Sequence, residues 1–244
     1  MRIFFLTKSK PYTCGLLRWM IRNHIVVGVI GKDRNALKAT EMERVCLHHN
    51  VPIFSIDEVY EKISNRNMPG ADIAVSNNFG RLIKPKLIDY VRGNIFNLHG
   101  AILPDYKGLF VYNHGILNEE KEWGVTAHFV NERFDEGDII EIRRFKIDHK
   151  KITIGELENL SQRHAFEMTR DIITAWEERG KPIGVRQTGG GTYFSRDDFE
   201  RAKEIKVSDT ATEVRKKIQA FYYPPYEGAF IVIGGERFEL MVKR

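Results

Sequence analysis

An asparagine and a histidine stand two residues apart in Asn97-Leu98-His99, ahead of Gly100 and the stretch Leu103-Pro104-Asp105-Tyr106-Lys107-Gly108. In an extended strand, residues i and i+2 project to one face, so both side chains can act on a single atom. An amide N–H beside an imidazole is a donor pair suited to an oxygen that becomes negatively charged during acyl transfer. Further along, Asp135 lies in Phe134-Asp135-Glu136-Gly137-Asp138, where Gly137 permits a tight backbone. A carboxylate in that turn can come back towards the imidazole. An isolated Asn-x-His is more often a turn or a hydrogen-bonded core histidine. Here the loop and the later turn favour chemistry.

Such a pair faces a ligand when it lies at the carboxyl end of a parallel strand in an open α/β sheet. The first hundred residues have the required pattern of short apolar runs separated by amphipathic segments. Residues 3–6, 25–30, 71–75 and 94–98 predict strands, and 51–54 an edge strand, because Pro52 cannot donate to a ladder. Residues 16–22, 36–49, 57–64 and 82–91 predict helices, the last with Pro85 in its first turn. Beyond residue 100 the pattern gives a helix over 111–118 and strands over 124–130 and 139–147 flanking the 135–138 turn. A long helix over 154–179 is stopped by Gly180 and Pro182. Residues 186–244 then read as a small subdomain opened by Gly189-Gly190-Gly191. It holds a helix over 210–223 and a hairpin of 229–233 and 237–242 turning at Gly234-Gly235.

With 244 residues, 42% hydrophobic and 29% charged, the chain has the composition of an ordinary globular protein, which excludes disordered and fibrous classes. No apolar run approaches the roughly 20 residues of a membrane span, and the N-terminus lacks a signal-peptide core. Cys14 and Cys46 make neither a disulfide framework nor a metal-ligand pair, so a cytoplasmic location is expected. A net charge of +5 suits an anionic ligand, but the basic residues are scattered and favour no polymer. After the first strand, Lys8-Ser9-Lys10-Pro11-Tyr12 is neither a glycine-rich dinucleotide fingerprint nor a P-loop. His48 and His49 lie about 100° apart on a helix with no third ligand. His24, His114, His128, His149 and His164 make no stronger case, so no metal is expected.

Together, Asn-x-His, Leu-Pro-x-Tyr-x-Gly and Asp-x-Gly resemble the folate-dependent formyltransferases. Asn97, His99 and Asp135 match that family's catalytic trio in type, order and separation, 135 − 97 = 38. The segment Asn78-Phe79-Gly80-Arg81-Leu82-Ile83 is similar to the family's folate loop. The resemblance is close over residues 70–145 and looser in the flanks. It implies a Rossmann-like, mostly parallel α/β sheet in a catalytic domain over 1–185, with a small C-terminal α+β subdomain over 186–244 that ends in the hairpin. It also implies 10-formyltetrahydrofolate as co-substrate, held by Arg81, Leu82, Ile83, Asn131 and Asp138. The amide of Asn97 and the imidazole of His99 would stabilise the oxyanion as a primary amine attacks, with Asp135 orienting His99.

The family divides by acceptor. The methionyl-tRNA enzyme carries a longer C-terminal barrel than about 60 residues would hold. The glycinamide-ribonucleotide enzyme has a Gly/Ser/Asn phosphate loop where this chain has Lys8-Ser9-Lys10-Pro11, and the hydrolytic relative carries an extra N-terminal domain. The closest resemblance is to nucleotide-sugar N-formyltransferases, with a dTDP-linked 4-amino-4,6-dideoxyhexose as expected acceptor and surface polysaccharide such as O-antigen as destination. Lys107, Gly108, Tyr193, Phe221 and Tyr222 are then the substrate-side candidates, Tyr222 foremost as a platform for the base. Lys107, Arg163 or Arg196 could meet a pyrophosphate. The resemblance further implies a homodimer built partly on the C-terminal hairpin, with neither nucleic acid nor membrane as partner. The rival readings are a formyltransferase on another amine acceptor, methionyl-tRNA or glycinamide ribonucleotide, and a non-catalytic folate or nucleotide binder.

Overall fold

The computed structural model describes residues 1–241 and divides into two compact units. Residues 1–99, 126–142 and 163–188 form the first; residues 100–125, 143–162 and those from 189 onward form the second. The single boundary expected at 185/186 lies close to the last of these changes, but the second unit also draws on two earlier segments.

The chain begins with β1 (Arg2–Thr7), α1 (Pro11–Asn23), β2 (Ile25–Gly31), α2 (Glu41–His48), β3 (Ile53–Ser55) and α3 (Ile56–Ser64). It continues with β4 (Ile73–Asn77), α4 (Pro85–Tyr90), β5 (Ile95–His99), β6 (Tyr106–Gly108), α5 (Val111–Leu117), β7 (Glu122–Phe129) and β8 (Ile139–Lys146). After α6 (Ile154–Arg179) come β9 (Thr192–Phe194), α7 (Arg196–Lys203), β10 (Glu204–Ile205), α8 (Ala211–Phe221), β11 (Phe230–Ile233) and β12 (Glu236–Glu239).

The first unit is built on a sheet of order β3-β2-β1-β4-β5-β7-β8. β1 pairs in parallel with β2 and β4, and β4 in parallel with β5, whereas β7 runs antiparallel to β5. Parallel strands covered on both faces need unbroken apolar runs, and β1 and β4 are buried almost throughout. Phe4, Leu6, Ala74 and Ile95 pack with Val59 of α3 and Leu87 of α4. β3 takes the edge position that Pro52 predicts.

Helix starts follow local chemistry. Ser55 caps α3 by accepting from the Glu58 amide, and Glu58 reaches back to the Ser55 amide; that backbone donor holds the Glu58 carboxyl below its ordinary range. The helix expected from residue 36 starts only at Glu41, because Ala39 is left-handed (φ 56°) and Thr40 accepts from the Glu43 amide. Pro85 opens α4, as expected, and shortens it. The strand expected over 71–75 lies two residues later and ends on Asn77.

The second unit holds the three-stranded sheet β10-β11-β12 and the parallel pair β6-β9. Its core gathers Trp123, Ile154, Leu157, Ile218 and Phe221. The short elements β6, β9, α7 and β10 are not among the predicted ones. Gly191 shows why the glycine loop precedes β9: its φ is 78°, and a Cβ there would lie 1.7 Å from the Pro104 carbonyl oxygen. Leu103-Pro104 is cis. The hairpin forms between β11 and β12, its second strand ending at Glu239; Val242 of the expected 237–242 strand lies outside the described residues. Among the described residues no helix is long and apolar enough to cross a membrane, and no three His, Cys, Asp or Glu side chains gather as a metal site would need.

Candidate active site

β5 delivers Asn97 and His99 to its carboxyl end on one face, Asn97 half-buried and His99 8% exposed. Register decides what lies beside them. Asn97 pairs with Ser76 of β4 on one side and with His128 of β7 on the other. Directly opposed residues share a face, so the three side chains form a row across the sheet. Ser76 Oγ donates to Asn97 Oδ1 at 2.8 Å, and Asn97 Nδ2 lies 3.2 Å from His128 Nε2. His128 Nδ1 lies 2.8 Å from the Phe129 carbonyl, which can only accept. Nδ1 therefore carries the His128 proton, Nε2 accepts from Asn97, and the second Nδ2 proton of Asn97 is left over from this row.

Asp135 reaches the same place from the turn after β7. Its Oδ1 is 3.5 Å from His99 Nδ1 and 3.5 Å from His128 Nε2, and its side chain is 12% exposed. The backbone of Asp135 is left-handed (φ 56°), a conformation that non-glycine residues adopt where surrounding contacts impose it. Gln187 imposes part of it, donating through Nε2 to the carbonyls of Asp135 (2.9 Å) and Gly137 (2.8 Å). Gly137 must be glycine: a Cβ there would lie 1.7 Å from the Phe129 oxygen. The strand and turn candidates Asn97, His99 and Asp135 are thus brought together. His128, set aside in the sequence among histidines without a case, belongs with them, and so does Ser76; their signal is the cross-strand register, which no local motif carries.

On the folate side, Ile83 and Phe79 are buried in the core of the first unit, and Val130 packs against the same cluster. The side chain of Ile83 is 5% exposed and belongs to that core. Leu82 is 41% exposed. Arg81 donates to the Lys32 carbonyl at 2.7 Å and pairs with Asp57 at 3.2 Å. Asn131 and Asp138 border a cavity of about 420 Å³ with Val130, Gly137 and Lys181.

The substrate-side candidates Lys107, Gly108, Tyr193, Phe221 and Tyr222 all belong to the second unit. β6 pairs with β9 there, Lys107 opposite Tyr193. Tyr193 and Tyr222 are exposed, at 48% and 41%. Phe221 is not: its side chain is 2% exposed and meets the Phe199 ring edge-on in the core. An inward position on α8 outweighs its aromatic character. Arg196 lies over the Phe110 ring, and Arg163 is exposed on α6 of the first unit.

Comparison with known proteins places this geometry in context. The methionyl-tRNA formyltransferase of Pseudoalteromonas translucida is 25% identical over 224 residues, which cover 87% of this chain and 68% of that protein. The corresponding enzyme of Ureaplasma parvum is 25% identical over 75% of this chain, which spans only 60% of its length. Among solved structures, WlaRD, a sugar 3N-formyl transferase determined with dTDP and 5-N-formyl-THF, superposes with a TM-score of 0.75 at 25% identity, covering 97% of this chain and 84% of that one. A 4-N formyltransferase from Francisella tularensis shares the fold at 20% identity, with a TM-score of 0.78 over 99% and 97% of the two chains. The family described as formyl transferase matches residues 9–172, which include the whole Asn97–His99–Asp135 cluster. With that match spanning well over half of its length, the chain belongs to the formyl transferase family.

Proposed function

We propose that this chain transfers a formyl group from 10-formyltetrahydrofolate to the primary amine of a nucleotide-linked amino-dideoxysugar, with a dTDP sugar as acceptor. The observation that carries the transfer step is the convergence of Asn97, His99 and Asp135 at the carboxyl end of β5. The donor supplies an activated one-carbon acyl group. Asn97 donates its remaining amide N–H to the formyl oxygen as charge gathers there, an interaction commonly worth about 3 to 4 kcal/mol. His99 lies two residues further on the same face and adds a second donor, and Asp135 holds that ring through Nδ1 and takes part in removing the amine proton. Leu82, the backbone of Ile83, and Asn131 and Asp138 around the cavity are the proposed folate contacts.

Two features support a sugar acceptor. The likeness to the sugar 3N-formyl transferase includes nearly all of this chain, and so extends past the segment matched by the family. Tyr193 and Tyr222 expose their rings, as a platform for a nucleobase requires. Lys107 and Gly108 are proposed to sit near the sugar nucleotide's diphosphate. In this reading the enzyme acts in the cytoplasm as a homodimer, and its product enters surface-polysaccharide assembly. The identity with methionyl-tRNA formyltransferases favours a second acceptor, the charged initiator tRNA. The test is turnover with 10-formyltetrahydrofolate and a panel of dTDP-, UDP- and GDP-linked amino sugars beside methionyl-tRNA, following tetrahydrofolate release and product mass. A gain of one formyl mass on a dTDP sugar is expected; formylation of the tRNA alone overturns the sugar assignment.

A further inference from the structure

The row Ser76-Asn97-His128 does more than fill the sheet edge. A primary amide can sit in two orientations that differ only in exchanging oxygen for nitrogen, and only one of them serves an oxyanion. In the orientation present here Oδ1 accepts from Ser76, one Nδ2 proton goes to His128 Nε2, and the other remains for a ligand. In the reversed orientation Oδ1 would face the Nε2 lone pair of His128, and two acceptors would oppose each other. With a neutral His128, reversal would become favourable only if its proton moved to Nε2, which would leave Nδ1 and the Phe129 carbonyl as opposed acceptors 2.8 Å apart. The choice is thus made in sequence: the Phe129 carbonyl fixes the His128 tautomer, the tautomer fixes which end of the amide faces β7, and Ser76 holds the other end.

We propose that Ser76 and His128 are positioning residues that lock the Asn97 amide with a proton toward the formyl oxygen; this rests on the transfer reaction proposed above. Both are almost wholly buried, at 2% and 3% exposure, so water does not readily substitute for either partner. Ser76 is the sharper handle because it touches the site only through Asn97. Without its hydroxyl, Oδ1 loses the partner that completes the lock, and the donor is present but no longer held.

The test compares Ser76→Ala, Ser76→Thr and Ser76→Val. The last two match in volume and differ in the hydroxyl. Ser76→Ala and Ser76→Val are expected to lower kcat about tenfold or more with the KM values for donor and acceptor nearly unchanged, as for a donor lost only in the transition state. Ser76→Thr is expected to recover most of that loss. Equal kcat in the Thr and Val variants, or a loss carried by KM alone, overturns the proposal. A second readout needs no substrate: in the long-range nitrogen–proton spectrum of histidine-labelled protein, the ring assigned by its disappearance in His128→Asn should be the Nδ1–H tautomer. An Nε2–H tautomer overturns the lock even if turnover is normal. A wild type that formylates no acceptor but shows the Nδ1–H tautomer would overturn the functional reading while supporting the lock.

Discussion

Replacing Asn97 with alanine separates the catalytic from the structural consequences of this site by magnitude. The substitution deletes the donor aimed at the formyl oxygen, and loss of one such donor lowers kcat by about 10²- to 10³-fold, or roughly 2.7 to 4 kcal/mol. It also leaves the Ser76 hydroxyl, 2% exposed, without its acceptor at 2.8 Å, and His128 Nε2 without its donor at 3.2 Å. Each buried polar group stranded in this way costs about 1 to 3 kcal/mol of stability, so the two together cost about 2 to 6 kcal/mol. That is a large part of a total of about 5 to 15 kcal/mol. Tm is expected to fall by about 2 to 4 °C for each kcal/mol in a chain of this size. Turnover is therefore measured well below the variant's own Tm, where unfolding does not account for a hundredfold fall in rate. The assay is steady-state turnover at saturating donor and acceptor beside thermal unfolding of the same sample, with folate binding as a control. A variant that binds folate and keeps kcat within about fivefold of wild type would refute the assignment of Asn97 as an oxyanion donor.

Three further outcomes follow from the same geometry. Asp135→Asn should fold normally and lose about 100-fold or more in kcat, because an amide carries no charge with which to hold the His99 ring as a donor; wild-type rates at neutral pH would contradict this. Gly137→Ala should lower both Tm and kcat, since its Cβ would lie 1.7 Å from the Phe129 oxygen and must displace the turn that carries Asp135; a variant with unchanged turnover would show that the turn can move without consequence. Burial pushes the His114 imidazole down to about 4 from an ordinary 6.5. As pH falls the unfolded chain takes this proton first, so the contribution is complete above about pH 6.5 and is lost on the way down to about pH 4, a total of about 3 kcal/mol. His114→Phe removes the titration and keeps an aromatic ring against Phe194, so urea unfolding of wild type should weaken more than that of the variant between pH 7.5 and about 4.5.

What could be read in the sequence was local. The i, i+2 spacing of Asn97 and His99 places them on one face of any strand, and Pro52 and Pro85 mark an edge strand and a helix start whatever lies around them. What could not be read was register. Ser76 and His128 become neighbours of Asn97 only because β4 ends on Asn77 and β7 runs antiparallel to β5, and both facts depend on pairing between distant segments. A two-residue shift in the expected position of β4 was enough to hide Ser76. Gln187 is 52 residues from Asp135, so its grip on the turn carbonyl has no local trace. Phe221 and Tyr222 show the same limit: adjacent aromatic residues suggest a platform, and only the packing of α8 sends the first into the core and leaves the second exposed.

The two imidazoles beside Asp135 raise a question of allocation that the geometry answers. Asp135 Oδ1 lies 3.5 Å from a nitrogen of each ring, so distance alone does not choose between them. A carboxylate gains most from a nitrogen that carries a proton, because hydrogen bonds to an ionised acceptor are about twice as strong as neutral ones. His128 has its proton on the other nitrogen, held by the Phe129 carbonyl. It therefore presents a lone pair to Asp135 and to Asn97 alike, and only Asn97 can donate to it. Asp135 is left with His99, whose Nδ1–H it can hold. The site thus contains a neutral hydrogen-bonded row through Ser76, Asn97 and His128 beside a contact of ion-pair length between Asp135 and His99. The backbone carbonyl of Phe129 keeps them from exchanging partners.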